Sequence, residues 1–120
     1  KAVQFALNRM GILFTVVSRT PSPDCITYQH IDEALLRQYQ IIINCTPLGM
    51  YPYIDTYPDI PYHALSASHI LFDCVYNPTQ TLFLQYGQQV GARIKNGLDM
   101  LYIQADLAWE IWSRQLNINL

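Results

Sequence analysis

The sequence has little charge and lacks the patterns that mark nucleic-acid-binding or membrane proteins. Only 13% of its residues are charged, and no basic run occurs that could form a positive surface for nucleic acid. No apolar stretch approaches the roughly 20 residues of a membrane span, and the first residues show no signal-peptide pattern. We therefore expect neither a nucleic-acid partner nor a membrane.

Cysteine and histidine are too few, and too widely spaced, for a disulfide framework or a zinc site. The three cysteines contain no C-x-x-C pair, and their number is odd. The three histidines form no H-x-x-x-H pattern and no cluster with cysteine, so no metal is expected. A reducing cytoplasm fits this composition, and the 51% of hydrophobic residues is enough for the core of one domain or most of one.

Two kinds of apolar pattern alternate along the chain. Helical spacing occurs at residues 1–10, 31–39, 79–90 and 97–115, and short apolar runs typical of buried strands occur at 12–17, 41–43, 70–75 and 92–95. This order predicts an α/β, doubly wound, mostly parallel sheet flanked by helices. Because such a domain begins with a strand and this chain begins on a helix, we expect an incomplete version in which the first strand is absent.

The predicted strands all end in polar residues. These ends lie at 18–20, 44–46, 76–78 and 96–97. Because ligands bind at the carboxyl ends of parallel strands, the pattern suggests one crevice, although polar loops without a ligand would look the same. Arg19 follows the second strand of a dinucleotide fold, where a cation meets the 2′-phosphate of NADP; an ordinary surface arginine is the open alternative.

The last predicted helix carries three stripes. One is apolar and should pack on the sheet, and a second, with Asp99, Asp106 and Glu110, should face water. The apolar stripe consists of Leu98, Leu101, Tyr102, Ala105, Trp109 and Trp112. The third stripe is Gly97, Met100 and Gln104, which can either face a ligand or be ordinary core and surface positions.

Five segments together resemble the shikimate dehydrogenase family, and they run in order over nearly the whole chain. The segments are KAVQFALNRMG at 1–11, SRT at 18–20, NCTPLGMYP at 44–52, DCVYNPTQT at 73–81 and NGLDMLYIQA at 96–105. The resemblance identifies residues 1–120 as a partial Rossmann-like, NADP-binding C-terminal domain. In it, residues 97–116 form the C-terminal helix that faces the interdomain cleft.

The resemblance implies an oxidoreductase that reversibly reduces 3-dehydroshikimate to shikimate with NADPH, in the pathway to chorismate and the aromatic amino acids. The implied contacts with NADP come from Ser18, Arg19, Thr20, Thr46, Cys74, Gly97 and Met100. The implied contacts with the substrate, a small molecule, come from Tyr76 and Gln104. A homodimer is left open.

Several departures from the family pattern qualify this reading. Ser18 stands where the family usually has asparagine, and the residues at 21–24 are Pro-Ser-Pro-Asp instead of basic. Neither the glycine-rich loop nor the catalytic lysine and aspartate of the family's N-terminal domain has a counterpart here, so we expect this chain alone to be inactive. The alternatives are a quinate/shikimate dehydrogenase that uses NAD, or a non-catalytic nucleotide-binding module.

Overall fold

The strands form two separate parallel sheets. A computed structural model describes residues 1–116; the last four residues of the predicted 1–120 domain lie outside the described residues. In the first sheet, β1 (Val17–Ser18) pairs with β2 (Ile26–Thr27). In the second, β3 (Ile41–Asn44), β4 (Ile70–Asp73) and β5 (Arg93–Lys95) lie in the order β3-β4-β5.

Four helices connect and flank these strands, and each starts or stops for a local reason. The side chain of Asp32 accepts a hydrogen bond from Leu35 N at 2.8 Å at the start of the second helix, and Thr81 caps the third in the same way. Gly11, with φ +68°, follows the end of the first. The helices are α1 (Ala2–Arg9), α2 (Glu33–Leu36), α3 (Leu82–Gln89) and α4 (Leu98–Gln115), with single helical turns at Tyr28–His30 and Tyr62–Ala64.

The predicted α/β alternation and the parallel pairing are confirmed, but two predicted elements are too long. The run at 12–17 was expected to be a full strand, whereas only its last residue pairs, together with Ser18. A strand needs a neighbour to complete its hydrogen bonds, and Leu13 instead stands 94% exposed. The helix predicted at 31–39 is limited to the four residues of α2.

The apolar core lies between the second sheet and α3. Leu71 of β4 and Phe83 and Leu84 of α3 are at most 1% exposed. Gly87 lets α3 approach Leu71, because a Cβ at that position would lie 2.3 Å from the leucine side chain. The remaining buried members of the core are Leu36, Ile60, Leu65 and Ala92.

A groove of about 720 Å³ separates the two sheets. Residues of α1, the 12–17 run and the outer edge of β3 line it, and most of the lining is apolar. Within the described part of the chain, β3 has β4 as its only neighbour, so its edge toward the groove carries no strand partner. The single sheet expected from the sequence is therefore divided.

The expectation that the apolar stripe of α4 packs on the sheet is wrong. None of its residues is buried, and Tyr102, Trp109 and Trp112 are 60%, 51% and 58% exposed. Helical periodicity shows that one face is apolar, but it does not say what covers that face. The charged stripe faces water as predicted. Neither α4 nor any other helix within residues 1–116 combines the length and apolar content that a bilayer crossing needs.

We predict that the exposed tryptophans of α4 contribute little to the stability of this chain. Trp112→Gln should change the free energy of unfolding by less than about 0.5 kcal/mol. As a comparison, Phe83→Ala removes a buried ring and should lower it by about 3–5 kcal/mol. Urea unfolding of the two variants measures both values, and similar losses would contradict the exposed position of α4.

Candidate functional site

A buried carboxylate joins the carboxyl ends of two strands to the start of a helix. Asp73, at the end of β4, has no exposed surface. Its Oδ1 accepts hydrogen bonds from Asn44 Nδ2 at 3.1 Å and from Val75 N at 2.9 Å, and its Oδ2 accepts one from Thr81 Oγ1 at 2.6 Å. The end of β3, the end of β4 and the first turn of α3 therefore share one acceptor.

The same network fixes Thr46, one of the residues predicted to lie along the cofactor. Asn44 Oδ1 accepts hydrogen bonds from Thr46 N at 3.0 Å and from Thr46 Oγ1 at 2.6 Å. Thr46 Oγ1 in turn accepts one from Leu48 N at 3.2 Å. Asn44 is 3% exposed, so Thr46 is held by a side chain that is itself held by Asp73.

Burial and hydrogen bonding act on Asp73 in opposite directions. Loss of hydration raises the pKa of Asp73 above its ordinary value of 3.8. The hydrogen bonds from Thr81, Val75 and Asn44 favour the carboxylate and offset part of that rise. The carboxylate form of Asp73 is thus stabilised by all three donors together.

Gly97 lies directly against the backbone at the end of β4. Its N–H donates to Val75 O at 3.1 Å, and a Cβ at this position would lie 2.2 Å from Cys74 O. The sequence suggested that this glycine admits a ligand; in the structure, the Cys74 backbone occupies that approach. The structure thus places Cys74 and Gly97 in direct contact, and this contact sets where α4 begins.

Met100, Gln104 and Tyr76 lie on open surface. Met100 and Tyr76 are 41% and 45% exposed, and Gln104 is exposed as well. Met100 and Gln104 follow Gly97 at helical spacing on α4, so they share the face that starts at the glycine. The groove between the sheets reaches Thr46 but none of these three residues. The enclosed crevice expected from the sequence is therefore an open face.

Ser18 is the last residue of β1 in the other sheet, and Arg19 and Thr20 directly follow it. Ser18 Oγ accepts a hydrogen bond from Thr20 N at 3.2 Å, which closes a tight turn around Arg19. Arg19 is exposed and forms no ion pair with any residue in 1–116. Burial of the ring raises the pKa of Tyr28, and the charge of Arg19 offsets part of that rise. The groove separates this turn from Thr46, so the structure does not bring the two groups into contact.

Sequence reasoning missed the residues that hold the site together. Asn44, Asp73 and Thr81 were not among the predicted site residues, yet all three are at most 3% exposed, and Asn44 and Thr81 both donate hydrogen bonds to Asp73. A signal was present: Asp73 interrupts an otherwise apolar strand run, and a buried charge requires partners.

Comparison with known proteins gives a consistent result. No protein-family model matches the chain. A curated shikimate dehydrogenase (NADP(+)) from Caldanaerobacter subterraneus subsp. tengcongensis is 30% identical over 128 residues, which cover 94% of this chain and 45% of that protein. The shikimate 5-dehydrogenase of Thermus thermophilus, solved with NADP(H) and shikimate, is 27% identical and superposes with a TM-score of 0.77 over 93% of this chain and 44% of that one.

This chain belongs to the shikimate dehydrogenase family. A third relative, the shikimate 5-dehydrogenase of Listeria monocytogenes solved with shikimate and NAD, is 31% identical, with a TM-score of 0.62 over 76% of this chain and 34% of that one. The chain spans less than half the length of each of these relatives.

The Asp73 network joins two of the segments that carry the resemblance to shikimate dehydrogenases. Asn44 and Thr46 lie in the 44–52 segment, and Asp73 and Thr81 begin and end the 73–81 segment. Gly97, in the 96–105 segment, contacts the second of these through Cys74. Three of the five segments that resemble the family therefore meet at the ends of β3, β4 and β5.

We predict that Asp73→Asn lowers the free energy of unfolding by about 1–3 kcal/mol at neutral pH, because the amide nitrogen cannot accept and leaves a buried donor unpaired. The pH dependence should change as well. The folded-state pKa of Asp73 lies above 3.8, so the folded chain keeps this proton to a higher pH than the unfolded chain does. The free energy of unfolding therefore falls as pH rises from 3.8 through the raised pKa.

Urea unfolding as a function of pH should show this slope in the unmodified chain and not in Asp73→Asn. Asp99→Asn is the matched control, because Asp99 is an exposed carboxylate that pairs with Lys95 on the surface. A control variant that lost as much stability as Asp73→Asn would contradict the role of burial.

We also predict that Gly97→Ala is strongly destabilising. The added Cβ would overlap the Cys74 backbone, which cannot rotate away, and the loss should reach about 3 kcal/mol or more. Gly11→Ala is the control, since that position has φ +68° and no atom within 4 Å, and should cost only about 1–2 kcal/mol for the left-handed conformation. Thermal unfolding followed by circular dichroism shows which of the two variants loses more stability. A larger loss for Gly11→Ala than for Gly97→Ala would contradict the contact between Gly97 and the Cys74 backbone.

Proposed function

We propose that this chain is the NADP-binding part of an enzyme that reversibly reduces 3-dehydroshikimate to shikimate with NADPH. The observation that carries the proposal is the agreement between the joined ends of β3, β4 and β5 and the segments shared with shikimate dehydrogenases. Because the chain spans less than half of its relatives' length, we propose that the lysine and aspartate of proton transfer lie outside these 120 residues.

The donors at the end of β1 fit a phosphate group. Arg19 offers an exposed guanidinium with no ion pair among residues 1–116, and Ser18 and Thr20 flank it with hydroxyl groups. Guanidinium and hydroxyl donors suit the 2′-phosphate that distinguishes NADP from NAD. In this proposal Ser18, Arg19 and Thr20 bind the adenosine end of the cofactor.

The joined strand ends hold the other end of the cofactor. Thr46 would lie along it, the backbone at Cys74 and Gly97 would contact the nicotinamide side, and Met100 would pack against that side. A bound NADP would supply the hydride chemistry. The chain's own contribution is orientation, because the Asp73 network and the Gly97 contact fix the backbone of these residues before any ligand arrives.

Tyr76 and Gln104 contact the substrate carboxylate and hydroxyl groups in this proposal. Both side chains are exposed, and both project from elements anchored at the Cys74–Gly97 contact. A phenol and an amide supply the hydrogen-bond donors and acceptors that a polyhydroxylated acid requires. The homodimer and the cytoplasmic location expected from the sequence stay predictions.

A second candidate is an NAD-dependent quinate/shikimate dehydrogenase. Ser18 and the Pro-Ser-Pro-Asp sequence at 21–24 leave Arg19 as the only cation in this turn. The Listeria monocytogenes relative was solved with NAD. The first observation makes a preference for NADP depend on one side chain. The second shows that a relative binds NAD, as this candidate requires.

The test is Arg19→Ala in the complete protein that contains this chain. Losing a charge-assisted contact with phosphate should cost about 1.5–3 kcal/mol of NADP binding, with little change for NAD. Isothermal titration with both cofactors, and turnover of shikimate and quinate with each, measure this. Arg9→Ala is the control, since Arg9 is another exposed arginine, on α1.

Equal losses for NADP and NAD on Arg19→Ala would contradict the role of Arg19. Turnover of quinate with NAD in preference to shikimate with NADP would favour the second candidate. Absence of turnover with either substrate would contradict both.

A further inference from the structure

Cys45 and Cys74 directly follow the paired ends of two neighbouring strands. Asn44 lies opposite Asp73 in the parallel register of β3 and β4, and Cys74 N donates to Asn44 O at 3.0 Å. The residue after Asn44 and the residue after Asp73 are both cysteines, so this hydrogen bond brings the two cysteine backbones beside each other. The side chain of Cys45 is close enough to act on the Cys74 thiol.

The spacing suits a disulfide. Neighbouring strands lie about 4.8 Å apart, and disulfides join Cα atoms that are about 4.4–6.8 Å apart. Both cysteines carry free thiols. Their closeness has an electrostatic effect, since Cys45 contributes to raising the pKa of Cys74 to about 12, although burial contributes more.

The two thiols differ in access. Cys45 is exposed, whereas Cys74 is only partly so. The raised pKa keeps the Cys74 thiol protonated, and the thiolate is the form that oxidants attack. Cys45 is therefore the thiol that a dissolved oxidant meets first, and Cys74 is the second sulfur within its reach.

We propose that Cys45 and Cys74 form a redox modification site that hydrogen peroxide closes to an intramolecular disulfide. The Cys45 sulfur attacks one peroxide oxygen, the O–O bond breaks, and Cys45 becomes a sulfenic acid while the other oxygen takes the thiol proton and leaves as water. The Cys74 sulfur then attacks the Cys45 sulfur, the S–O bond breaks, and the leaving hydroxyl group takes the Cys74 proton to form a second water. One hydrogen peroxide is reduced to two waters, and two thiols are oxidised to one disulfide.

The site does not depend on the proposed function, but its position gives it a consequence if that function holds. Thr46 follows Cys45, and the Cys74 backbone contacts Gly97, so the disulfide would lie at the proposed nicotinamide position. A disulfide between Cys45 and Cys74 would then constrain the backbone that is proposed to orient the cofactor.

The experiment is a thiol count on the 120-residue chain after treatment with hydrogen peroxide and denaturation. The unmodified chain has three free thiols, and closing one disulfide should leave one. The Cys25→Ser variant lacks the cysteine that precedes β2, and its thiol count should fall from two to none. Cys45→Ser and Cys74→Ser should form no intramolecular disulfide, and dithiothreitol should restore every thiol count.

Peptide mapping identifies the bond. Proteolysis before Asp55 and Asp59 separates Cys45 from Cys74, so the oxidised chain should yield one linked pair of peptides that dithiothreitol splits. Linkage of Cys25 to either cysteine, disulfide dimers between chains, or Cys45 sulfinic acid without a linked peptide would overturn the proposal. None of these results involves a cofactor, so they leave the proposed function untouched.

Discussion

The buried carboxylate of Asp73 is the interaction on which the site depends. An anion with no exposed surface would be unstable without compensation, and here three donors from different parts of the chain surround it. Each donor brings a separate element: Asn44 the end of β3, Val75 the turn after β4, and Thr81 the start of α3. The hydrogen bonds that compensate the buried charge of Asp73 therefore also fix the relative positions of these three elements.

The backbone contact between Gly97 and Cys74 extends that arrangement to α4. Since the glycine has no Cβ, its chain can lie against a carbonyl group that any side chain would displace. The helix consequently starts at a fixed point and then leaves the sheet, with its aromatic stripe exposed. Helix α4 is therefore anchored at its first residues and exposed along the rest of its length.

Sequence patterns predicted the α/β alternation, the parallel pairing and the helix limits at Gly11 and Gly97, because these depend on local periodicity and on turn chemistry. They did not predict the divided sheet or the exposed stripe of α4. Strand pairing and the cover of an apolar face depend on what lies beside an element, which no local pattern records. The predicted cofactor and substrate residues lie at strand ends and on the last helix, whereas Asp73, which interrupts an apolar strand run, holds Thr46 in place through Asn44.

The groove between the sheets also divides the energetics of the chain. Every buried member of the apolar core lies at Leu36 or later, and of the residues before Leu36 only Tyr28 and Ile31, both partly buried, pack against that core. Regions with few buried contacts open at low free energy, independently of the rest. The residues before Tyr28 and the β3–β5 unit should therefore lose their amide protection at different rates, as two cooperative units of unequal strength within one short chain.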